Sequence, residues 1–268
     1  MKRVLKRGAA LVGGNLRSPL PGIRVLIYHR VGNKRGMEID LSIGAFAEQL
    51  QELKRRGPLL SLAAAREAAL GDRPVQGSVL TFDDGFRETF ECAVPLLQSL
   101  GIPAHFYLPT SNVEHGWIAT SAGRAPAVTP AEISSLSRDP LFSFGSHGHT
   151  HRVLTRLSEV EVQDELDRSR ALVEDWTGAP AEDFAYPKGL WDRASECLVK
   201  RMFKSAAIGG SHPLGPQTNL WRIPRYPIQA SDDLGLFRAK LDGALFLEEA
   251  ARSARDRLRS LVGRTPER

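Results

Sequence analysis

A regular alternation constrains this chain more than any other feature: short apolar or β-branched runs are separated by longer stretches whose apolar residues recur at helical spacing. Parallel strands joined through helices give this pattern, because each strand is covered on both faces and reads as a continuous apolar run. The runs lie at 23–28, 78–82, 104–108, 141–145, 184–186, 205–208 and 223–228, and helical patterns fall near 43–56, 87–100, 130–138, 158–177 and 190–203. The chain has 268 residues, a length that single α/β barrels routinely reach. The expectation is an α/β fold, a deformed (β/α) barrel of about seven strands in one catalytic domain. A basic segment, 1–20, precedes that domain at 21–230, and a helical extension, 231–268, follows it.

Two helix starts are marked by capping boxes, Thr129-Pro130-Ala131-Glu132 with proline at the first helical position, and Ser158-Glu159-Val160-Glu161. Residues 109–128, rich in Gly, Ala, Ser and Pro, read as a long loop after a strand, where barrel enzymes place substrate contacts.

Composition narrows the partners. The formal charge is +5, but residues 1–24 contribute +6 and residues 252–264 contribute +4, which leaves the intervening body at −5. Basicity belongs to the ends, so a phosphate-binding groove across the core, and with it a nucleic-acid partner, is not expected. No apolar run approaches the roughly 20 residues needed to cross a bilayer. The opening Met1-Lys2-Arg3-Val4-Leu5-Lys6-Arg7 imitates the start of a secretory signal, but the stretch after it is short, glycine-rich and broken by Asn15 and Arg17. Cys92 and Cys197, each in a helical pattern, give no disulfide framework and suit a reducing compartment. A cytoplasmic protein is expected. The basic ends could touch anionic lipid at the inner membrane face, since each basic residue near such a surface contributes about 1 kcal/mol.

Two clusters carry chemistry. Val79-Leu80-Thr81-Phe82-Asp83-Asp84-Gly85 is a buried-type strand ending in adjacent carboxylates, which can address different atoms of one site. Alone, Asp-Asp-Gly is a turn. The second cluster, Ser146-His147-Gly148-His149-Thr150-His151, also follows an apolar run and packs three of the seven histidines into five positions. Two imidazoles and a carboxylate make an open three-ligand site for zinc or a similar ion.

These two segments resemble the first and second motifs of the polysaccharide deacetylases, the family-four carbohydrate esterases, and Phe184-Ala185-Tyr186-Pro187-Lys188-Gly189 resembles their third. The ordered set spans about residues 20–228. The resemblance implies Asp83 as general base and Asp84, His147 and His151 as ligands of one divalent ion, with zinc expected; His149 is then a neighbour. It implies Lys188, through its backbone N–H, at the oxyanion, with Tyr186, Pro187 and Leu26 along the substrate.

The family's late Leu-x-His motif has no convincing counterpart after residue 190, and His212 sits in a Gly/Pro-rich loop. Leu26-Ile27-Tyr28-His29 fits it at the other end of the chain, as in the circularly permuted members such as the biofilm poly-N-acetylglucosamine deacetylases. First and last strands of a closed barrel are neighbours, so the move preserves the site, and His29 becomes the candidate general acid. Ala185 stands where many members have the arginine that holds the base. Arg222 or Arg225 are the candidates to replace it.

The implied activity is removal of an N-acetyl group from a sugar of a polysaccharide or glycolipid. The alternatives are a deacetylase or deformylase of a lipid-linked or lipopolysaccharide sugar, a metal-dependent phosphoesterase, or an inactive glycan-binding protein.

Overall fold

A computed structural model describes residues 21–32 and 36–243. Seven strands form a closed barrel: β1 (Ile23–Tyr28), β2 (Gly77–Asp83), β3 (Ala104–Leu108), β4 (Phe142–Ser146), β5 (Asp183–Ala185), β6 (Ser205–Gly209) and β7 (Ile223–Pro227). Each pairs in parallel with its neighbours in chain order, and β1 closes the ring between β7 and β2. The barrel is uneven. Six residue pairs join β1 to β2, whereas Ser146 opposite Phe184 is the one registered pair between β4 and β5.

The described helices are α1 (Ile43–Arg56), α2 (Leu62–Leu70), α3 (Arg87–Leu100), α4 (Thr110–His115), α5 (Pro130–Leu136), α6 (Glu159–Thr177), α7 (Arg193–Met202) and α8 (Leu234–Leu241). Both expected capping boxes form at the starts of α5 and α6. Side chains alternate between two environments, as a pleated strand requires. Ile23, Val25, Val79, Tyr107, Ala185, Ala207 and Ile223 share the barrel interior. Leu26, Tyr28, Leu80, Phe82, Phe106 and Phe144 face outward against Phe46 and Leu50 of α1 and Leu97 of α3. There Phe106 stacks on Phe82 and Phe144 at centroid distances of 5.1 and 5.5 Å.

The interior is tight at Gly145. A Cβ at that position would stand 2.5 Å from the Asp183 carbonyl oxygen and 2.7 Å from His105 Nε2, so β4 can pass β5 only with glycine here.

The segment 109–128 is not the expected loop. It contains α4 and an antiparallel ribbon, Trp117–Thr120 with Gly123–Pro126, whose Ile118 and Ala125 pack beside Phe86 and Ala127. A second short pair, Arg30–Gly32 with Asp40–Ser42, follows β1. Within the expected C-terminal extension, α8 buries Leu236, Phe237 and Leu241, and Arg238 pairs with Glu52 of α1 at 2.8 Å. No described helix is long and apolar enough to cross a membrane. The basic segment 1–20 and residues 244–268, on which the expectation of lipid contact rests, lie outside the described residues.

Candidate active site

Because the barrel strands are parallel, their C-terminal ends open on one face, and two of the sequence clusters arrive there together. Asp83 is the last residue of β2 and Asp84 the first beyond it; His147 directly follows β4. Asp84, His147 and His151 bring one ligand atom each to within 4.8 Å of one another. The Asp84 carboxylate lies 3.8 Å from His147 Nε2 and 3.4 Å from His151 Nε2. Ligands about 2.0–2.2 Å from a tetrahedral ion stand roughly 3.4 Å apart, so the set fits one divalent cation. His147 Nδ1 donates to the Ala185 carbonyl at 2.7 Å, which leaves Nε2 as the lone-pair nitrogen facing the cluster. Burial lowers the pKa of both rings, and for His151 the neighbouring His147 adds to it, so both are neutral near pH 7, the form in which an imidazole can bind a cation.

Local backbone geometry shows how the set is held. Among the described residues, three non-glycine residues have φ in the left-handed region: Asp84 (72°), His151 (60°) and Lys188 (60°). Each costs an L-residue of order 1 kcal/mol, and all three line the same cleft. The loop carrying the histidines is pinned by Glu165 of α6, whose buried carboxylate accepts from the Thr150 N–H at 2.8 Å, from the Thr150 hydroxyl, and from Arg152 Nε at 3.2 Å. His149 turns away and bonds Thr110 Oγ1 through Nδ1 at 2.9 Å, so the middle histidine is outside the ligand group. Glu165 was not identified from the sequence. Its signal is a carboxylate on the buried stripe of α6 between Val162 and Leu166.

Asp83 points into the barrel and is gripped from β7. Arg225 donates to it through Nη1 at 2.6 Å and Nη2 at 2.7 Å, and Nη1 also reaches Thr81 Oγ1 at 3.1 Å. The Thr81 hydroxyl in turn donates to the Leu26 carbonyl at 2.8 Å. Burial alone would push the Asp83 carboxyl up, but the charges of Arg225 and His147 and the Arg225 hydrogen bonds outweigh it and hold the carboxyl well below the usual range. Asp83 is therefore a fixed anion, 3.6 Å from His147 Nε2.

The remaining expected residues divide. Lys188, in a 3₁₀ turn after β5, lines a cleft of about 420 Å³ with Asp84, His151, Glu38, Ile118 and Thr120. Pro187 is buried in the same turn. His29 follows β1 and is half-buried; its charge is among those that hold the Asp83 carboxyl down, and its Nδ1 has no hydrogen-bond partner among the described residues. It does not line the cleft.

Three expectations are corrected. Leu26 faces the outer core between barrel and helices, because on β1 it is Val25 and Ile23 that point inward. The Tyr186 side chain is likewise buried with Phe184, Leu198 and Val199 and does not line the cleft. Arg222 pairs with Glu196 at 2.6 Å and covers the Trp191 ring, so it does not orient the base. Of the two candidates, Arg225 is the one that holds Asp83. His212, the alternative acid, lies two residues before Leu214, which bonds Ile23 at the opposite end of β1.

The family model described as polysaccharide deacetylase matches residues 71–203. Over that part of the chain, which holds both the acidic and the histidine clusters, the sequence is similar to the polysaccharide deacetylases. The deacetylase match runs from just before β2 through α7 and takes in Asp83, Asp84, His147, His151 and Lys188; His29, just after β1, and Arg225, on β7, lie outside it. A curated relative, the YxkH protein of Bacillus subtilis (strain 168), whose own deacetylase assignment is provisional, is 22% identical over 173 residues, 63% of this chain. The chain spans 57% of that relative's length. BC0361, a polysaccharide deacetylase from Bacillus cereus, superposes with a TM-score of 0.69 at 24% identity, over 82% of this chain and 69% of its own. IcaB from Ammonifex degensii gives 0.73 at 20% identity, over 84% and 98%. At these identities the structural matches establish the barrel fold.

Proposed function

We propose that the protein is a metal-dependent hydrolase that removes an N-acetyl group from a sugar of a polysaccharide or glycolipid. The observation that carries this reading is a group of three residues able to hold a cation, set directly beside a second carboxylate, Asp83, which is kept ionised and lies outside that group. The family match and the deacetylases among the structural neighbours support the substrate class.

Asp84, His147 and His151 would hold the ion, with zinc the one this donor set favours. Bound there, it supplies Lewis-acid polarisation of the acyl carbonyl and makes water more acidic. Asp83 accepts the proton of the attacking water while Arg225 keeps the carboxylate aimed. The Lys188 backbone N–H donates to the developing oxyanion, a role open to any residue with an N–H. His29 carries a proton to the leaving sugar nitrogen, as the permuted members of the family would place it. The products are a free amine and a small carboxylate.

The test is metal analysis combined with an assay for acetate or formate released from acylated oligosaccharides and glycolipids. Release that stops on chelation and returns with zinc is expected. Full activity without metal would overturn the proposal. Peripheral contact of the basic ends with anionic lipid is a separate proposal, checked by liposome flotation with and without residues 1–20.

A further inference from the structure

Lys188 poses a question that the catalytic reading leaves open. Its backbone (φ 60°, ψ 10°) is left-handed, and so is that of Gly189 next to it (φ 68°). Gly189 has a steric reason for being glycine, since a Cβ would stand 2.9 Å from the Gly209 nitrogen. At Lys188 glycine or asparagine would adopt the same backbone at lower cost. The oxyanion contact needs only the N–H, which those residues also have. Neither conformation nor the proposed backbone role calls for lysine, so the side chain must bring something of its own.

What it adds is an ammonium group in the cleft. Lys188 is exposed and lines the cleft with Asp84 and His151. It makes no ion pair or side-chain hydrogen bond among the described residues. Lys200, Lys204 and Lys240, by contrast, pair with Glu196, Glu182 and Asp232. The acid across the cleft, Glu38, accepts instead from the Ser231 hydroxyl at 2.8 Å. An unpaired ammonium costs nothing while hydrated, but it gains a charge-assisted hydrogen bond when an anion enters the cleft beside it.

We infer that Lys188 selects substrates in which the acylated sugar bears an anionic group, phosphate or carboxylate, near the acylated nitrogen. The inference takes the nature of the sugar from the proposed deacetylase activity, but recognition of the anion stands apart from turnover. A tightly held anion beside Asp84 would be repelled in the empty protein, so recognition is expected with the ion in place.

The experiment compares three N-acetylated sugars with the zinc-loaded protein at low salt: a neutral methyl glycoside, its phosphorylated counterpart, and a disaccharide carrying a uronate. Wild type should favour one anionic sugar over the neutral one by about tenfold in kcat/KM, the scale of one hydrogen bond to a charged group. Lys188→Met, which keeps the backbone N–H and the same left-handed demand, should bring that ratio close to one, and Lys188→Arg should keep most of it. The phosphate and uronate arms show which anion is read. A ratio unchanged in Lys188→Met, or a wild-type preference for the neutral sugar, overturns the inference. If none of the sugars is hydrolysed, the deacetylase reading fails on its own. Calorimetric binding of the corresponding free-amine sugars then decides about Lys188 by the same ratio, with unchanged zinc content confirming that the variants are folded.

Discussion

Arg225 reaches across β1 to grip Asp83 on β2 with two parallel hydrogen bonds, and both side chains are buried. A fork of this kind fixes direction as well as charge, which a lysine ammonium cannot do. Removing one member strands the other as a buried charge, at a cost of about 3–5 kcal/mol. Arg225→Met is therefore expected to lower the midpoint of chemical denaturation strongly, and Arg225→Lys to recover part of the stability but little of the activity. Equal activity in Arg225→Lys and wild type would show that aim does not matter.

Adjacent aspartates should separate cleanly. Asp84→Asn is expected to empty the metal site, as measured by elemental analysis, because an amide oxygen is a poor third ligand beside two imidazoles. Asp83→Asn should retain the metal yet lose about 100-fold or more in kcat, since an amide cannot take the water's proton. The opposite pattern would mean that the two roles are exchanged.

For His29 the informative comparison is between leaving groups. His29→Ala should slow hydrolysis of an N-acetyl sugar by about 100-fold, and that of an activated aryl acetate, whose leaving group needs no protonation, far less. His29 lies outside the three-residue cation group, so the metal content should be unaffected. Similar losses on both substrates would assign His29 a structural task.

Acid should destabilise the barrel through His105. Its ring is buried inside β3, bonded to Ser143 Oγ at 2.8 Å, and burial lowers its pKa to about 4. The unfolded chain, with an imidazole of pKa about 6.5, binds the proton that the folded one refuses, so stability is complete above that value. It falls as the pH drops toward 4, by roughly 3 kcal/mol over the window. Denaturation of metal-free protein at pH 7 and pH 4.5 measures the loss, and His105→Gln should shrink the difference. An undiminished slope in the variant would assign the effect to other groups.

All seven strands were legible to within a residue or two, because a parallel strand covered on both faces leaves an unbroken apolar run. The grouping of Asp84 with His147 and His151 was legible because its chemistry is crowded into two short segments. Other features had no such signature. The Leu62–Leu70 helix is mostly alanine and shows no polar contrast, and the strands of the ribbon are four residues each, too short for alternation to register. Leu26 and Tyr186 were named by motif position, whereas the face of the strand decides what they touch. Arg222 and Arg225 are three residues apart. Only the register that sets Arg225 opposite Val25 turns one inward, and register arises from the closed sheet rather than from local sequence.

The three proposed roles are spread unevenly over the barrel. The cation group comes from the ends of β2 and β4, with the Ala185 carbonyl of β5 and Glu165 of α6 holding its histidine segment, so its residues are all in place before β7 is reached. Asp83 acquires its partner only when β7 slides in beside β1 and shuts the ring. Until then the carboxylate faces an open seam with nothing to aim it. A protein trimmed before β7 would keep the residues of the cation group and lose the partner of Asp83, so occupancy of the ion and competence to act are expected to come apart in this molecule.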